Sequence, residues 1–112
     1  MDVKKTEIPP REYFWKLHEE FLFGEIWQRP GLSRRDRSLV TIGLLAGLRN
    51  TMPLKSHIGR GLDHGLTKEE IEEACLHLTF YGGWPTAALA FQVANEVFAE
   101  RAKKNAAPGK PA

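Results

Sequence analysis

Apolar residues recur every three or four positions along most of the chain, and this spacing predicts five helices. The first opens at Pro9-Pro10, because proline is tolerated in the first turn of a helix, and it ends at Pro30-Gly31. No window alternates with the two-residue period of a β-strand. The pattern therefore predicts an all-α fold. The first helix is so rich in large apolar side chains that we expect part of its surface to contact another subunit.

The second helix follows Ser33, a favourable N-cap residue. It is apolar on nearly all sides from Leu39 to Leu48, which is typical of a buried helix, so we expect it to be the central one. Gly43 and Gly47 lie one turn apart inside it, where each glycine costs about 1 kcal/mol relative to alanine. They indicate a backbone that another helix approaches closely.

A row of polar side chains marks the third helix. Leu54 and Ile58 belong to its apolar stripe, whereas His57, Arg60 and His64 recur at i, i+3 and i+7 and share one face. Histidine suits proton transfer and arginine suits carboxylate binding. His64 has a second interpretation, because a histidine near a helix end complements the negative end of the helix dipole.

Local signals predict the boundaries of the last two helices. Gly65 is a natural left-handed stop, and Thr67 with Glu70 forms a capping box for the fourth helix. Gly82-Gly83 ends that helix, and Trp84-Pro85 opens the fifth. On the fourth helix, a polar row beside the core stripe consists of Glu73, His77 and Tyr81.

Composition narrows the class of protein. A chain of 112 residues with a net charge of +2 is one domain and has no basic block that would indicate nucleic-acid binding. We expect residues 1–8 to be a lead-in, residues 9–103 the domain and residues 104–112 a flexible tail. No apolar run approaches the roughly 20 residues of a membrane span. A single cysteine and the lack of a secretory signal predict a cytoplasmic protein.

Four separated segments together resemble the carboxymuconolactone decarboxylase family. They are residues 29–41, RPGLSRRDRSLVT; residues 55–58, KSHI; residues 65–71, GLTKEEI; and residues 76–85, LHLTFYGGWP. Their order and spacing also fit, over roughly residues 10–101. The resemblance implies the helical-bundle fold shared with the alkylhydroperoxidase D proteins. It also implies a homotrimer or homohexamer with active sites near the subunit contacts.

The redox branch of this family carries a Cys-x-x-Cys motif followed four residues later by a histidine. If His57 matches that histidine, the cysteine positions fall on Asn50 and Pro53, and an acidic residue of the proton relay falls near Ser38. Thiol chemistry needs a low-pKa thiolate, and a disulfide relay needs a second sulfur. Cys75 lies on a core stripe and has no such partner in the sequence. These residues exclude a thiol-peroxidase mechanism of that kind.

The decarboxylase branch resembles the chain better, including the Arg37-Ser38 pair. The chain departs from it at Gly59, where many decarboxylase-like members carry an arginine, and at Asp63-His64, which replaces an amide-rich pair. The resemblance implies a lyase that acts on a small acidic lactone in the catabolism of aromatic compounds. In that reaction a carboxylate leaves as carbon dioxide, and the charge passes into an enolate that is then protonated.

The resemblance and the two polar rows together give the candidate site. We expect His57, His77 and Tyr81 to be catalytic, the histidines through acid–base chemistry and the tyrosine through a hydrogen bond to the oxyanion. The candidate substrate-binding residues are Arg60, Arg37 and Trp84. We expect no organic cofactor, because the unsaturated lactone accepts the electrons itself. We also expect no metal, because the histidine spacing fits no zinc signature.

Each of these residues has a structural alternative. A histidine bonds a backbone carbonyl, an arginine forms a surface salt bridge, and an aromatic side chain fills a core or an interface. Two other functions also stay open. One is an antioxidant protein related to the alkylhydroperoxidases but without the cysteine pair, and the other is a non-catalytic helical oligomer that binds a small acid.

Overall fold

The computed structural model describes residues 4–105, which contain five α-helices and no β-strand. The helices are α1 (Pro10–Lys16), α2 (Arg34–Gly47), α3 (Thr51–Asp63), α4 (Lys68–Gly82) and α5 (Trp84–Asn105). The prediction of an all-helical fold is confirmed. No helix of the described part is long and apolar enough to cross a membrane. Most of the expected tail, from residue 106 onward, lies outside the described residues.

The described chain divides into two compact units, with the boundary after Arg34. In the first unit, α1 passes into a π-helical segment, Leu17–Phe23, and a short 3₁₀ helix, Ile26–Gln28, follows. The amide of Gly24 donates to the carbonyl oxygen of Glu19 at 3.0 Å, which is the wider hydrogen bond of a π-helix. The expectation of one continuous helix up to Pro30 is therefore wrong, since spacing does not distinguish a π turn from an α turn.

Aromatic side chains of the first unit pack against one another in a row of successive ring contacts. Edge-to-face contacts join Trp15 to Phe14 at 4.9 Å and to His18 at 5.2 Å between ring centroids. Phe23 then stacks on Trp27 at 5.6 Å. Trp27 is buried, whereas Phe14 and Trp15 stay more than half exposed, at 59% and 54%.

The core of the second unit is built from one apolar row on each helix. Leu54 and Ile58 of α3 and Ile71 and Cys75 of α4 are fully buried, as their spacing predicts. Small residues of α5 complete the core: Ala90, Val93, Ala94 and Val97. The tight connections follow the local signals, because Gly65 has φ +104°, Gly83 has φ +94°, and both bonds of the Thr67–Glu70 capping box are present.

Helix α2 is not buried on all sides within one chain, so that expectation is wrong. It buries one row, Ser38, Ile42 and Ala46, while its outer side stays in solvent. Its outer apolar residues are more than 60% exposed: Val40, Leu44 and Leu48. A Cβ added at Gly43 or Gly47 would meet no atom within 4 Å, so no helix among residues 4–105 approaches them closely.

The close approach occurs at Gly61 of α3 instead. A Cβ at this position would lie 2.9 Å from Cδ1 of Leu66 and 3.1 Å from Cδ1 of Ile42. Glycine is therefore required here to let α2 and the loop before α4 pack onto α3.

Candidate functional site

A partly buried hydrogen bond joins α2 to the end of α3. Oγ of Ser38 lies 2.8 Å from Nδ1 of His64, and Ser38 is fully buried. Ser38 also packs over Gly61, since its Cβ would be 3.6 Å from a Cβ added there. The two helices therefore meet tightly at this point, and the imidazole of His64 is held at one edge of the contact.

This hydrogen bond belongs to a set of polar residues on α2, on α3 and at the C-terminal end of α3, which we call the α2–α3 seam: Arg37, Ser38, His57, Arg60 and His64. His57, Arg60 and the C-cap residue His64 follow one helix face and are all partly buried. Nε of Arg37 and Nδ1 of His57 are buried atoms, so both side chains reach below the surface. By composition the seam holds two arginines, two histidines and one serine.

The opposite flank of α3 is held by Arg101 of α5. Its guanidinium donates to the carbonyl oxygen of Gly59 at 2.8 Å and to Oδ1 of Asp63 at 2.9 Å. The hydrogen bond from Arg101 lowers the pKa of the Asp63 carboxyl below its usual value. The charge of Asp63 is thus paired with α5, and it also interacts with His64. The resemblance described above implies that Gly59 and Asp63 depart from the decarboxylase pattern, and both contact the same arginine.

A separate groove of about 600 Å³ lies between α2 and α4. Its floor is apolar, and its charged lining is mainly acidic. The lining residues are Arg35, Leu39, Gly43, Leu66, Glu69, Glu70, Glu73, Ala74, His77 and Leu78. Arg35 pairs with Glu70, which also accepts the backbone N–H of Thr67 in the capping box. The groove therefore presents three glutamates against one arginine and one histidine.

His77 and Tyr81 lie side by side where this groove ends. Their ring centroids are 5.0 Å apart, as expected for residues one turn apart on a helix. Tyr81 is 81% exposed, and Trp84 is 69% exposed with its ring edge-to-face against Phe80 at 5.7 Å. Within one chain these aromatic rings form an open surface.

The predicted site residues fall on two sides of α2. Arg37 and Thr41 precede Leu39 and Gly43 by two residues, and two residues turn an α-helix by about 200°. The α2–α3 seam, beside Arg37, and the groove, beside Leu39 and Gly43, are therefore on nearly opposite flanks of the helix. His57, Arg60 and Arg37 belong to the seam, while His77 lines the groove and Tyr81 continues its row.

Cys75 has the wrong environment for thiol chemistry. It is buried, and burial raises the pKa of its thiol to about 11, with a smaller contribution from the charge of Glu72. At neutral pH the side chain is a protonated thiol, which is a poor nucleophile. Among the described residues, no three histidine, cysteine or acidic side chains are grouped in a way that would hold a metal ion.

Helical spacing in the sequence does not predict two contacts of this region. The Ser38–His64 bond joins residues 26 positions apart, and Arg101 reaches Gly59 across 42 positions. The sequence carries one signal for the first contact, because Ser38 falls at helical spacing with the apolar Ile42 and Ala46. Nothing in the local pattern indicates the second.

Residues 14–96 match the sequence model of the carboxymuconolactone decarboxylase family. The chain is 41% identical over 85 residues to 4-carboxymuconolactone decarboxylase of Acinetobacter baylyi, covering 76% of this chain and 63% of that protein. It is 37% identical over 89 residues to nitrosuccinic acid decarboxylase of Metarhizium robertsii, covering 80% of this chain and 62% of the relative. An uncharacterized 15.0 kDa protein of Paracoccus denitrificans is 34% identical over 83 residues, with 72% of this chain and 62% of the relative covered. The chain thus spans less than two thirds of the length of each of these relatives.

Proposed function

The chain belongs to the carboxymuconolactone decarboxylase family, and on that premise we propose that it is a carboxy-lyase that removes carbon dioxide from a small acidic lactone. The observation that carries this proposal is the α2–α3 seam, where partly buried arginines and histidines lie along two helices that the hydrogen bond between Ser38 and His64 joins. The names of two relatives describe decarboxylases of small acids. The proposal extends that chemistry to this chain.

In the proposed reaction, Arg37 and Arg60 bind one carboxylate of the substrate. The planar guanidinium group matches a carboxylate with two parallel hydrogen bonds. The carbon–carbon bond to the departing carboxylate breaks, and its electron pair passes through the conjugated double bond into the lactone carbonyl. Carbon dioxide leaves, and an enolate remains. The arginines stabilise its negative charge in a partly desolvated site.

His57 completes the reaction by protonating the enolate at carbon. An imidazolium is suited to this step, because histidine is populated in both protonation states near neutral pH. The proton that His57 gives up is regained from solvent, so the net change is exchange of a carboxylate for a hydrogen. The product is an enol-lactone, and the lactone ring stays closed.

The groove between α2 and α4 is less suited to such a substrate. Glu69 and Glu73 would repel an anion, and Arg35 already pairs with Glu70. Charges of the same sign at short range disfavour binding, and a partly buried groove screens them less than bulk water does. We therefore place the acid-binding step in the seam.

We further propose that His77, Tyr81 and Trp84 act from a second copy of the chain, in a homotrimer or homohexamer. Two features support self-association. The outer side of α2 exposes apolar residues and two glycines with open space above them, which allows another helix to approach closely. Phe80, Tyr81 and Trp84 add a further exposed aromatic surface. In such an assembly the aromatic side chains of one chain would cover the seam of its neighbour and exclude water.

The test is turnover. Purified protein is incubated with 4-carboxymuconolactone and with related carboxylated lactones, and carbon dioxide release is measured. We expect release with the wild-type protein and loss of release in His57→Ala, whose helical content by circular dichroism stays at the wild-type level. Binding of these acids without any release of carbon dioxide would refute the proposed reaction and would favour a non-catalytic binding protein.

A further inference from the structure

Ser38 is a polar residue in a buried row whose other members are apolar. It is fully buried in the row that also contains Ile42 and Ala46. A buried hydroxyl costs free energy unless it has a hydrogen-bond partner. An alanine would fill the same position with better helix propensity. The gain from serine is therefore its hydrogen bond to Nδ1 of His64 at 2.8 Å.

That bond fixes the orientation of one particular imidazole. His64 lies seven residues after His57 and four after Arg60, so the three Cα atoms follow one face over about 10 Å, at 1.5 Å per residue. Ser38 engages Nδ1, and Nε2 lies on the other side of the ring. The neighbouring carboxylate of Asp63 pairs with Arg101 and also interacts electrostatically with His64.

We propose that His64 is a substrate-contacting residue of the seam, that Ser38 positions it, and that it binds the second acidic group of the substrate. This inference rests on the proposed function. Arg60 and His64 are one turn apart, about 6 Å along the helix axis, so they can engage two acidic groups of one small molecule. The substrate class is thereby narrowed to small acids that carry two acidic groups.

Asp63 is the charge that would oppose such a role, and the structure places its partner on the other flank of α3. Arg101 binds Oδ1 of Asp63 and the carbonyl oxygen of Gly59, and so holds this carboxylate at α5. Arg101 and Ser38 thus act on neighbouring residues from opposite sides. Arg101 holds the carboxylate of Asp63 near α5, and Ser38 holds the imidazole of His64 near α2.

Two substitutions of His64 separate a substrate contact from a structural role. The amide of His64→Asn occupies about the place of Nδ1 and keeps the bond to Ser38, but it has no atom at the place of Nε2. His64→Gln reaches the place of Nε2 and loses the bond to Ser38. We expect His64→Asn to unfold at the wild-type temperature and to raise KM for the acidic lactone about tenfold with little change in kcat, which is the pattern of lost substrate binding. We expect Ser38→Ala to raise KM by a smaller factor, and the double variant with His64→Asn to be no worse than His64→Asn.

A direct binding experiment uses the wild-type protein and probes of known charge. Succinate carries two carboxylates, and butyrate has the same chain length with one. The imidazole resonances are followed by NMR as each probe is added, with His18 of the first unit as the internal control. We expect succinate to shift the resonances of His64, butyrate to shift them less, and neither to shift those of His18.

The outcomes distinguish the inference from the proposed function. If no lactone is turned over but succinate shifts His64 and binds His64→Asn more weakly, the proposed reaction fails and the assignment of His64 stands. If the lactone is turned over and His64→Asn has the wild-type KM, the assignment of His64 is wrong and the proposed reaction stands. A loss confined to His64→Gln and Ser38→Ala would also overturn the assignment, because the bond to Ser38 would then be purely structural.

Discussion

Arg101 donates a hydrogen bond of 2.8 Å to the carbonyl oxygen of Gly59 and thereby ties α5 to the middle of α3. The same guanidinium binds Asp63 one turn later. One side chain therefore connects two of the positions where the sequence is expected to differ from the decarboxylase pattern. Gly59 leaves room for it, since a Cβ there would lie 3.3 Å from Nη2 of Arg101.

The ion pair predicts a pH-dependent contribution to stability. Arg101 lowers the pKa of Asp63 in the folded protein, so the pair stabilises the fold above the unfolded pKa of about 3.9, and this contribution is lost as the pH falls through the folded pKa. We expect Arg101→Met to lower the free energy of unfolding by no more than about 1 kcal/mol at pH 7, because the pair is largely exposed. Urea denaturation of both proteins at pH 7 and pH 3 measures the difference. It should shrink at pH 3, and a constant difference would contradict the role of Asp63.

The close packing at Gly61 predicts a larger loss. Gly61→Ala puts a Cβ within 2.9 Å of Leu66 and 3.1 Å of Ile42, and overpacking of this kind costs about 1–3 kcal/mol. Gly59→Ala is the matched control on the same helix, because the only atom its Cβ approaches is the end of the Arg101 side chain. Thermal unfolding should show a lower midpoint for Gly61→Ala and little change for Gly59→Ala. Equal midpoints would show that α2 does not pack against α3 as described.

The exposed side of α2 predicts the effect of a charge on assembly. Leu44 is 62% exposed in one chain, and a second copy that packs there would bury it. Leu44→Glu should therefore reduce the molar mass measured by light scattering after size exclusion to that of a single chain. Met52→Glu is the control, since Met52 is 84% exposed on α3 and lies outside the proposed contact. A wild-type protein that elutes as a monomer would reject self-association.

The environment of Cys75 predicts that its thiol takes no part in catalysis. A buried side chain whose thiol pKa is raised to about 11 supplies no thiolate at neutral pH. Cys75→Ala should retain the decarboxylation rate of the wild-type protein per folded molecule. Loss of turnover in a folded Cys75→Ala protein, or thiol-dependent peroxide consumption that requires Cys75, would contradict this assignment.

Local signals in the sequence predict the parts of the fold that depend on neighbours in the chain. The left-handed glycine at Gly65, the capping box of Thr67 and Glu70, and the break at Gly83 are all present, because each is satisfied within a few residues. The buried rows of α3 and α4 follow as well, since helical periodicity is a property of the segment itself.

Contacts between distant segments cannot be predicted from local signals of this kind. Apolarity on all sides of α2 predicts burial but does not say what covers the helix, and in the described part of the chain Leu44 stays 62% exposed. Gly43 and Gly61 look alike in the sequence, yet only Gly61 has a close neighbour. The positions of His57 and His77 on their helices are evident from spacing. Their placement beside opposite flanks of α2 depends on how the helices pack.

The proposed reaction depends most on the α2–α3 seam, where the acid binds and the enolate is protonated. The most direct measurement is carbon dioxide release from 4-carboxymuconolactone by the wild-type protein, His57→Gln and the control His18→Gln, each checked for folding by circular dichroism. We expect the wild-type protein and His18→Gln to release carbon dioxide. We expect His57→Gln to release it at least about 100-fold more slowly, which is the typical contribution of a general acid. Wild-type rates in a folded His57→Gln protein would contradict the proposed reaction.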